Sequence, residues 1–225
     1  MLININALRR FKLQGCDGGI GSVKEIYFDD HHWTVRYFVV ETGVWLFSRQ
    51  VLISPFSVVS MNLEVQHLVL NITKRQIKNS PSLDTDRPIS RQFETASFSL
   101  PFCLIDPYMW GNPPDLARDR DEWGKMVQAE KNWDPNLHST KGIDGHIINA
   151  VDGEIGHIMD FIIDDQSWSI RYFVVDIGAW LTGKKVLIAP KWISRISWRE
   201  KKVYSKLTRE KIKQSPEYAQ ETLNF

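Results

Sequence analysis

The fold is decided by the stretch WTVRYFVVE at residues 33–41, because a second copy, WSIRYFVVD, occupies residues 168–176. The shift of 135 residues that aligns these two stretches also aligns Asp29-Asp30 with Asp164-Asp165. Roughly a third of the paired positions across both copies are identical without a gap, which chance does not produce. The sequence therefore predicts two copies of one structural unit.

Each copy has the residue pattern of several short strands. Apolar residues alternate from Gly19 to Phe28, a turn follows at 29–32, and the nearly continuous apolar run at 37–40 is typical of a central strand covered on both faces. Three further short strands are predicted at 51–53, 57–61 and 65–70. Closing a small antiparallel sheet into a barrel removes its exposed edges. We therefore expect a mainly β protein with two tandem small β-barrels.

A short helix is predicted after the last strand of each copy. Thr73 and Thr208 are suitable N-caps, and Pro81 and Pro216 end the helical pattern. The predicted domains are a first repeat at 1–81, a long linker at 82–140 and a second repeat at 141–225.

The linker is unusually rich in aromatic residues for a free connection: Phe93, Phe98, Phe102, Tyr108, Trp110, Trp123 and Trp133. These side chains either pack within the protein, a symmetric homodimer included, or contact a partner. We expect a homodimer formed through them.

The overall composition limits the classes of function and the location that we expect. The 225 residues carry a net charge of +1, which gives no strong nucleic-acid signal. No apolar run reaches the roughly 18 residues of a membrane span, and the N-terminus lacks the order of a signal peptide. The expected location is the cytoplasm.

Each half resembles the PRC-barrel domain in its glycine motif, its Asp-Asp turn and the segment 36–40. The second half is closer, with DGEIGH at 152–157 followed by Asp164-Asp165 and Trp168. The resemblance implies small β-barrels like those of the photosynthetic reaction-centre H subunit and the ribosome maturation factor RimM, where the barrel serves assembly. It implies a bacterial protein with two such barrels and no shared catalytic residues.

The Asp-Asp pairs have two interpretations. They could be metal ligands or a paired-carboxylate site, but adjacent aspartates in a turn point differently, and turn formation is the favoured interpretation. The adjacent His31 and His32 are expected to face opposite ways and not to bind one metal. No metal site, cofactor or catalytic residue is predicted, and the chain is not expected to be an enzyme.

Two matched pairs are the candidate partner-binding residues. Arg36 and Arg171 lie in the most apolar strand of each copy, so each needs an acid, either Glu25 or Asp160 on the neighbouring strand or a carboxylate of a partner. Trp45-Leu46 and Trp180-Leu181 follow the glycine that ends this strand. A loop tryptophan either folds back onto the core or contacts a partner.

These observations favour a non-catalytic protein-interaction or assembly module whose partner is unknown. The alternatives are a small-ligand-binding protein with a pocket between the barrels and an RNA- or ribosome-associated factor.

Overall fold

The computed structural model describes residues 1–78, 136–178 and 183–219. The aromatic residues of the linker and the predicted site residues Trp180 and Leu181 lie outside these ranges. None of the helices in the described part of the chain is long and apolar enough to cross a membrane.

The first copy forms a mixed seven-stranded sheet in the order β5-β4-β3-β2-β7-β6, with β8 pairing on β3. Its strands are β2 (Lys12–Gly15), β3 (Gly18–Asp29), β4 (Thr34–Thr42), β5 (Gln50–Ile53), β6 (Val58–Asn62), β7 (His67–Leu70) and β8 (Leu137–Ser139). All pairings are antiparallel except β2 with β7. The helices are α1 (Ile5–Leu8) and α2 (Lys74–Lys78).

The second copy repeats this sheet strand for strand, in the order β12-β11-β10-β9-β14-β13, with β1 pairing on β10. Its strands are β1 (Leu2–Asn4), β9 (Ile147–Ala150), β10 (Gly153–Asp164), β11 (Ile170–Asp176), β12 (Lys185–Ile188), β13 (Ile193–Ser197) and β14 (Lys202–Ser205). Helix α3 (Arg209–Lys213) follows β14, as α2 follows β7. Thr208 caps α3, because its hydroxyl oxygen accepts from the Lys211 N–H. Thr73 caps α2 in the same way by accepting from the Gln76 N–H.

The two copies have exchanged their first strands. Strand β1 lies at the N-terminus but pairs with β10 of the second sheet, whereas β8 precedes the second copy but pairs with β3 of the first. The two registers are equivalent, since Leu2 lies opposite Asp164 and Leu137 lies opposite Asp29. Neither sheet is therefore built from one continuous stretch of sequence.

The junction between the sheets is built on the two tryptophans that open the repeated stretch. The Val35 N–H donates to the Trp168 carbonyl at 2.8 Å, and the Ile170 N–H donates to the Trp33 carbonyl at 2.7 Å. Each indole contacts a phenylalanine of the other copy: Trp33 on Phe173 with ring centroids 5.1 Å apart, and Trp168 on Phe38 at 5.2 Å. One buried apolar core consequently runs through both copies.

The expected mainly β architecture with two matched sheets is confirmed, and β4 is mostly buried as the apolar run predicted. Among the described pairings, none joins the ends of either strand path into a closed barrel. The predicted domain boundaries stay predictions, but Leu137–Ser139, assigned to the linker, form a strand of the first sheet.

Candidate functional site

The Asp-Asp turns are held by their first aspartate. Asp29 Oδ1 accepts the N–H groups of His31 and His32 at 2.8 and 3.0 Å, and Asp164 Oδ1 accepts from the equivalent Gln166 and Ser167. This geometry supports the turn interpretation. The expectation for His31 and His32 was wrong in one respect: their rings contact each other, with centroids 4.7 Å apart, because both lie in a turn and not in a strand.

The two arginines pair with these turn aspartates and not with the predicted acids. Arg171 Nη2 lies 2.9 Å from Asp164 Oδ2, and Arg36 Nε lies 3.9 Å from Asp29 Oδ2. Both arginines are the extra residue of a β-bulge, because the register moves from Tyr27–Tyr37 to Phe28–Val35 and shifts in the same way in the second copy. A bulge redirects its side chain, here towards the turn.

The acids that were expected to pair with the arginines hold the exchanged segments instead. Glu25 accepts from the Ser139 hydroxyl in β8, and Asp160 accepts the Asn6 N–H after β1 at 3.1 Å. Burial raises the pKa of Asp160 to about 6.

The turn aspartates and their arginines differ in environment. Burial opposes ionisation of Asp29, but hydrogen bonds from His32 and His31, with the charge of Arg36, keep its pKa below the ordinary value. The hydrogen bond from Arg171 lowers the pKa of Asp164 to about 2. Arg36 is only 12% exposed, so it serves the fold, whereas Arg171 is 50% exposed.

Trp45 and Leu46 lie in a single 3-10 turn, Val44–Leu46, and both point inward. The Trp45 indole N–H donates to the Ile20 carbonyl at 2.7 Å, and Leu46 is 8% exposed. They are therefore not free contact residues. The flanking Val44 and Phe47 are 92% and 95% exposed, and we call this pair the apolar tip.

The apolar tip is held in a backbone conformation that an aromatic residue rarely adopts. Phe47 has φ 53° and ψ 36°, in the left-handed region, and Ser48 follows with φ 53°. Such a conformation costs on the order of 1–3 kcal/mol and persists only where the surroundings impose it. At the matched positions the second copy has Ala179 and Thr182 in sequence, so it lacks the bulky pair.

The apolar tip was not predicted from the sequence, because the prediction of site residues rested on those that are identical in the two copies. The sequence does contain an indication of the tip. Both copies share the pattern Gly-x-Trp-Leu-x, and the two x positions, Val44 and Phe47 in the first copy, are smaller residues in the second.

A second site lies where the first copy meets β13 of the second. This junction cleft has a volume of about 290 Å³ and is lined by Asp30, His31, Trp33, Asn136, Ile193, Ser194, Arg195 and Ile196. Asp30 Oδ2 lies 3.1 Å from His138 Nε2, and the Arg195 guanidinium lies over the Tyr204 ring at 3.8 Å.

Beside the cleft, His138 stacks on Trp198 at 3.9 Å between ring centroids, and Trp198 contacts the His146 ring at 5.5 Å. His146 is 3% exposed, and neither of its ring nitrogens has a hydrogen-bond partner. Burial lowers its pKa, the charge of Lys201 adds to that effect, and the Asp144 backbone, which lies near the ring but outside ordinary hydrogen-bond geometry, opposes it.

Within the described ranges, no group of three or more His, Cys, Asp or Glu side chains could hold a metal ion. The described residues therefore offer two candidate sites, the apolar tip and the junction cleft.

No protein-family model matches the chain. A protein of Deinococcus radiodurans, described as uncharacterized, is 30% identical over 86 residues, which is 38% of this chain. The match spans 30% of that relative's length. The similarity is therefore confined to a minor part of both chains.

Proposed function

We propose that this protein is a non-catalytic interaction module that docks a protein partner through the apolar tip. The observation that carries the proposal is the near-complete exposure of Val44 and Phe47 on a turn fixed from behind. An exposed aromatic residue in a left-handed conformation contributes nothing to the core, so contact with a partner is the best account of it.

The inward pair, Trp45 and Leu46, acts by positioning the tip. The 2.7 Å hydrogen bond of Trp45 and the burial of Leu46 set the turn before a partner arrives. A pre-set anchor loses less conformational entropy on binding than a mobile one.

The surroundings of the tip favour a partner with an acidic rim around an apolar pocket. Arg49 donates to the Lys78 carbonyl at 3.4 Å, and the Lys74 ammonium lies 5.5 Å from the Trp45 ring centroid. Residues 43–49 contain no acid. Charge complementarity of this kind steers association and selects among partners.

We also propose that each half is a strongly coiled sheet of the PRC-barrel type. This is supported by the spaced motifs present twice and by the register shifts along β3 and β10, which bend a sheet. The proposed assembly role agrees with that resemblance. The homodimer through the linker aromatics stays a prediction, and a clean monomer by light scattering at micromolar concentration would contradict it.

The docking proposal is tested by placing a photo-crosslinking amino acid at position 47 of the full chain in the native host. The matched control carries it at Val59, which is 67% exposed on β6 of the same copy. We expect one protein adduct from position 47, none of comparable yield from position 59, and loss of the first adduct when Val44→Asp is added.

Equal adduct yields from the two positions would contradict docking at the tip. Adducts with lipid alone would also contradict it, since they would identify a membrane surface as the occupant.

A further inference from the structure

We propose that the junction cleft binds a small organic carboxylate, with Arg195 receiving the charged group. This site is separate from the apolar tip, and either proposal can fail without the other.

The size of the cleft limits the ligand. Its volume is about 290 Å³, well above the roughly 10–15 Å³ that one water molecule needs on the same measure. The cleft therefore has room for a small organic ligand. This volume lies at the small end of the range for ligand pockets.

Arg195 lines the cleft, and its guanidinium lies over the Tyr204 ring with 3.8 Å between Cζ and the ring centroid. An arginine that contacts an aromatic ring can still donate from its N–H groups to a planar acceptor. Among the described residues, no carboxylate lies within salt-bridge distance of Arg195. The nearby Glu200 accepts from the Tyr204 hydroxyl at 2.8 Å, and this hydrogen bond, with a smaller contribution from the charge of Arg195, lowers the pKa of Glu200. A planar carboxylate matches the geometry of a guanidinium edge.

The other lining residues define the rest of the ligand. Asp30, the acid among the described lining residues, already has a partner, since its Oδ2 lies 3.1 Å from His138 Nε2. Ile193, Ile196 and Trp33 supply apolar surface. A carboxylate on a compact apolar or aromatic body fits this combination.

The fold itself does not require these residues, and the first copy shows this directly. At the positions matched by the shift of 135 residues, Ser60 replaces Arg195 and Val69 replaces Tyr204, within the equivalent hairpin of β6 and β7. Gln166 replaces His31 in the equivalent turn. The stacked arginine is therefore an addition to a frame that folds without it.

The test is a titration of the isotope-labelled full chain with benzoate, followed by the amide resonances of residues 194–196 and the Trp33 indole N–H. Benzamide is the neutral probe of the same shape. We expect saturable binding of benzoate, with a Kd on the order of 1 mM for so small a probe, and benzamide binding about tenfold weaker or worse.

Two variants locate the charge. Arg195→Gln should weaken benzoate binding at least about tenfold, and the position tolerates a polar residue because Ser60 occupies it in the other copy. Arg199→Gln, at an exposed position beyond the end of β13, should leave the affinity unchanged. Amide resonances remote from the cleft report that each variant is folded.

The proposal fails if benzoate shifts no cleft resonance, if benzamide binds equally well, or if the two arginine variants behave alike. Inorganic phosphate that binds as tightly as benzoate would show a general oxyanion site and overturn the carboxylate assignment. A Phe47→Asp variant that retains the benzoate titration separates this site from the docking tip.

Discussion

The two sides of the junction are built on the same frame but carry different side chains. On the cleft side the frame carries one arginine, two aromatic rings and three histidines, and the matched positions of the other side are small, amide or apolar. The cleft-side residues are His31, His138, His146, Arg195, Trp198 and Tyr204; their matches are Gln166, Ile3, Phe11, Ser60, Leu63 and Val69. Each copy therefore serves as an internal control for the other, because a residue that differs at a matched position is not required by the shared fold.

The residues that recur in both copies have structural explanations. A Cβ on Gly21 would lie 1.9 Å from the Glu41 carbonyl oxygen, and one on Gly156 would lie 2.2 Å from that of Asp176. Only glycine permits this close approach of neighbouring strands. Identity between the copies therefore marks the frame, and difference marks the residues that the frame does not need.

The largest expected effect comes from breaking the junction. Trp168 is 4% exposed and packs on Phe38 of the other copy, so Trp168→Ala should lower the free energy of unfolding by about 3–5 kcal/mol. Denaturant unfolding measures this. Trp192→Ala, at a position 41% exposed, is the control and should change the free energy by less than about 1 kcal/mol. Similar losses from both would contradict a junction built on Trp168.

The two turn aspartates, Asp29 and Asp164, should contribute unequally to the free energy of unfolding. Asp29→Ala should lower the free energy of unfolding by about 3 kcal/mol, because it removes two backbone hydrogen bonds and leaves the largely buried Arg36 without this carboxylate. Asp164→Ala should lower it by only about 1–2 kcal/mol, since Arg171 is half exposed. Urea unfolding of both variants in one buffer gives the comparison, and a reversed order would contradict it.

The His146→Phe variant introduces the residue type that the first copy has at the matched position, Phe11. The buried imidazole has two ring nitrogens without partners, so the exchange should raise the free energy of unfolding by about 1–3 kcal/mol at neutral pH. Thermal and denaturant unfolding measure the gain. A loss would show that His146 has a stabilising role not visible in its contacts.

The same variant has a defined pH dependence. Because burial lowers the pKa of His146, the unfolded chain takes up a proton as the pH falls through about 6.5 while the folded chain does not. The advantage of His146→Phe over the natural chain should therefore grow below that pH. Asp160, whose pKa is raised to about 6, acts oppositely by favouring the folded state as the pH falls. Only the difference between the two proteins isolates His146.

The smallest effect is expected at the apolar tip. Phe47→Gly relieves the left-handed conformation and removes an exposed ring, while it adds flexibility to the unfolded chain. The free energy of unfolding should stay constant or rise by up to about 1 kcal/mol. Calorimetry of this variant beside Trp45→Ala, which loses the 2.7 Å hydrogen bond, separates exposed from positioning residues. A clear loss from Phe47→Gly would assign the ring a role in the fold.

Much of the fold could be predicted from the repeated stretch. The turn at 29–32, the strand after it and the threonine caps of α2 and α3 follow from local residue chemistry. Strand exchange could not be predicted, because Leu2–Asn4 and Leu137–Ser139 fit either sheet equally well by local pattern. The long-range packing decides between these two pairings.

The candidate site was predicted less well, for a related reason. Identity between the copies favoured Arg36, Arg171 and Trp45; of these, Arg36 and Trp45 are held by the fold, and Arg171 pairs with Asp164 while its side chain is half exposed. The bulge that turns the arginines towards Asp29 and Asp164 depends on strand register, which a single sequence does not reveal. Val44, Phe47 and Arg195 became visible only when burial and the mismatch between copies were compared.

Strand exchange should make the two copies one cooperative unit. Native-state hydrogen exchange at increasing denaturant tests it most directly, with the amides of β4 and β11 as reporters of the first and second sheet. We predict that both sets converge on one free energy of opening, and that Trp168→Ala lowers both equally. Two separate opening energies, with only one of them lowered by Trp168→Ala, would contradict the account.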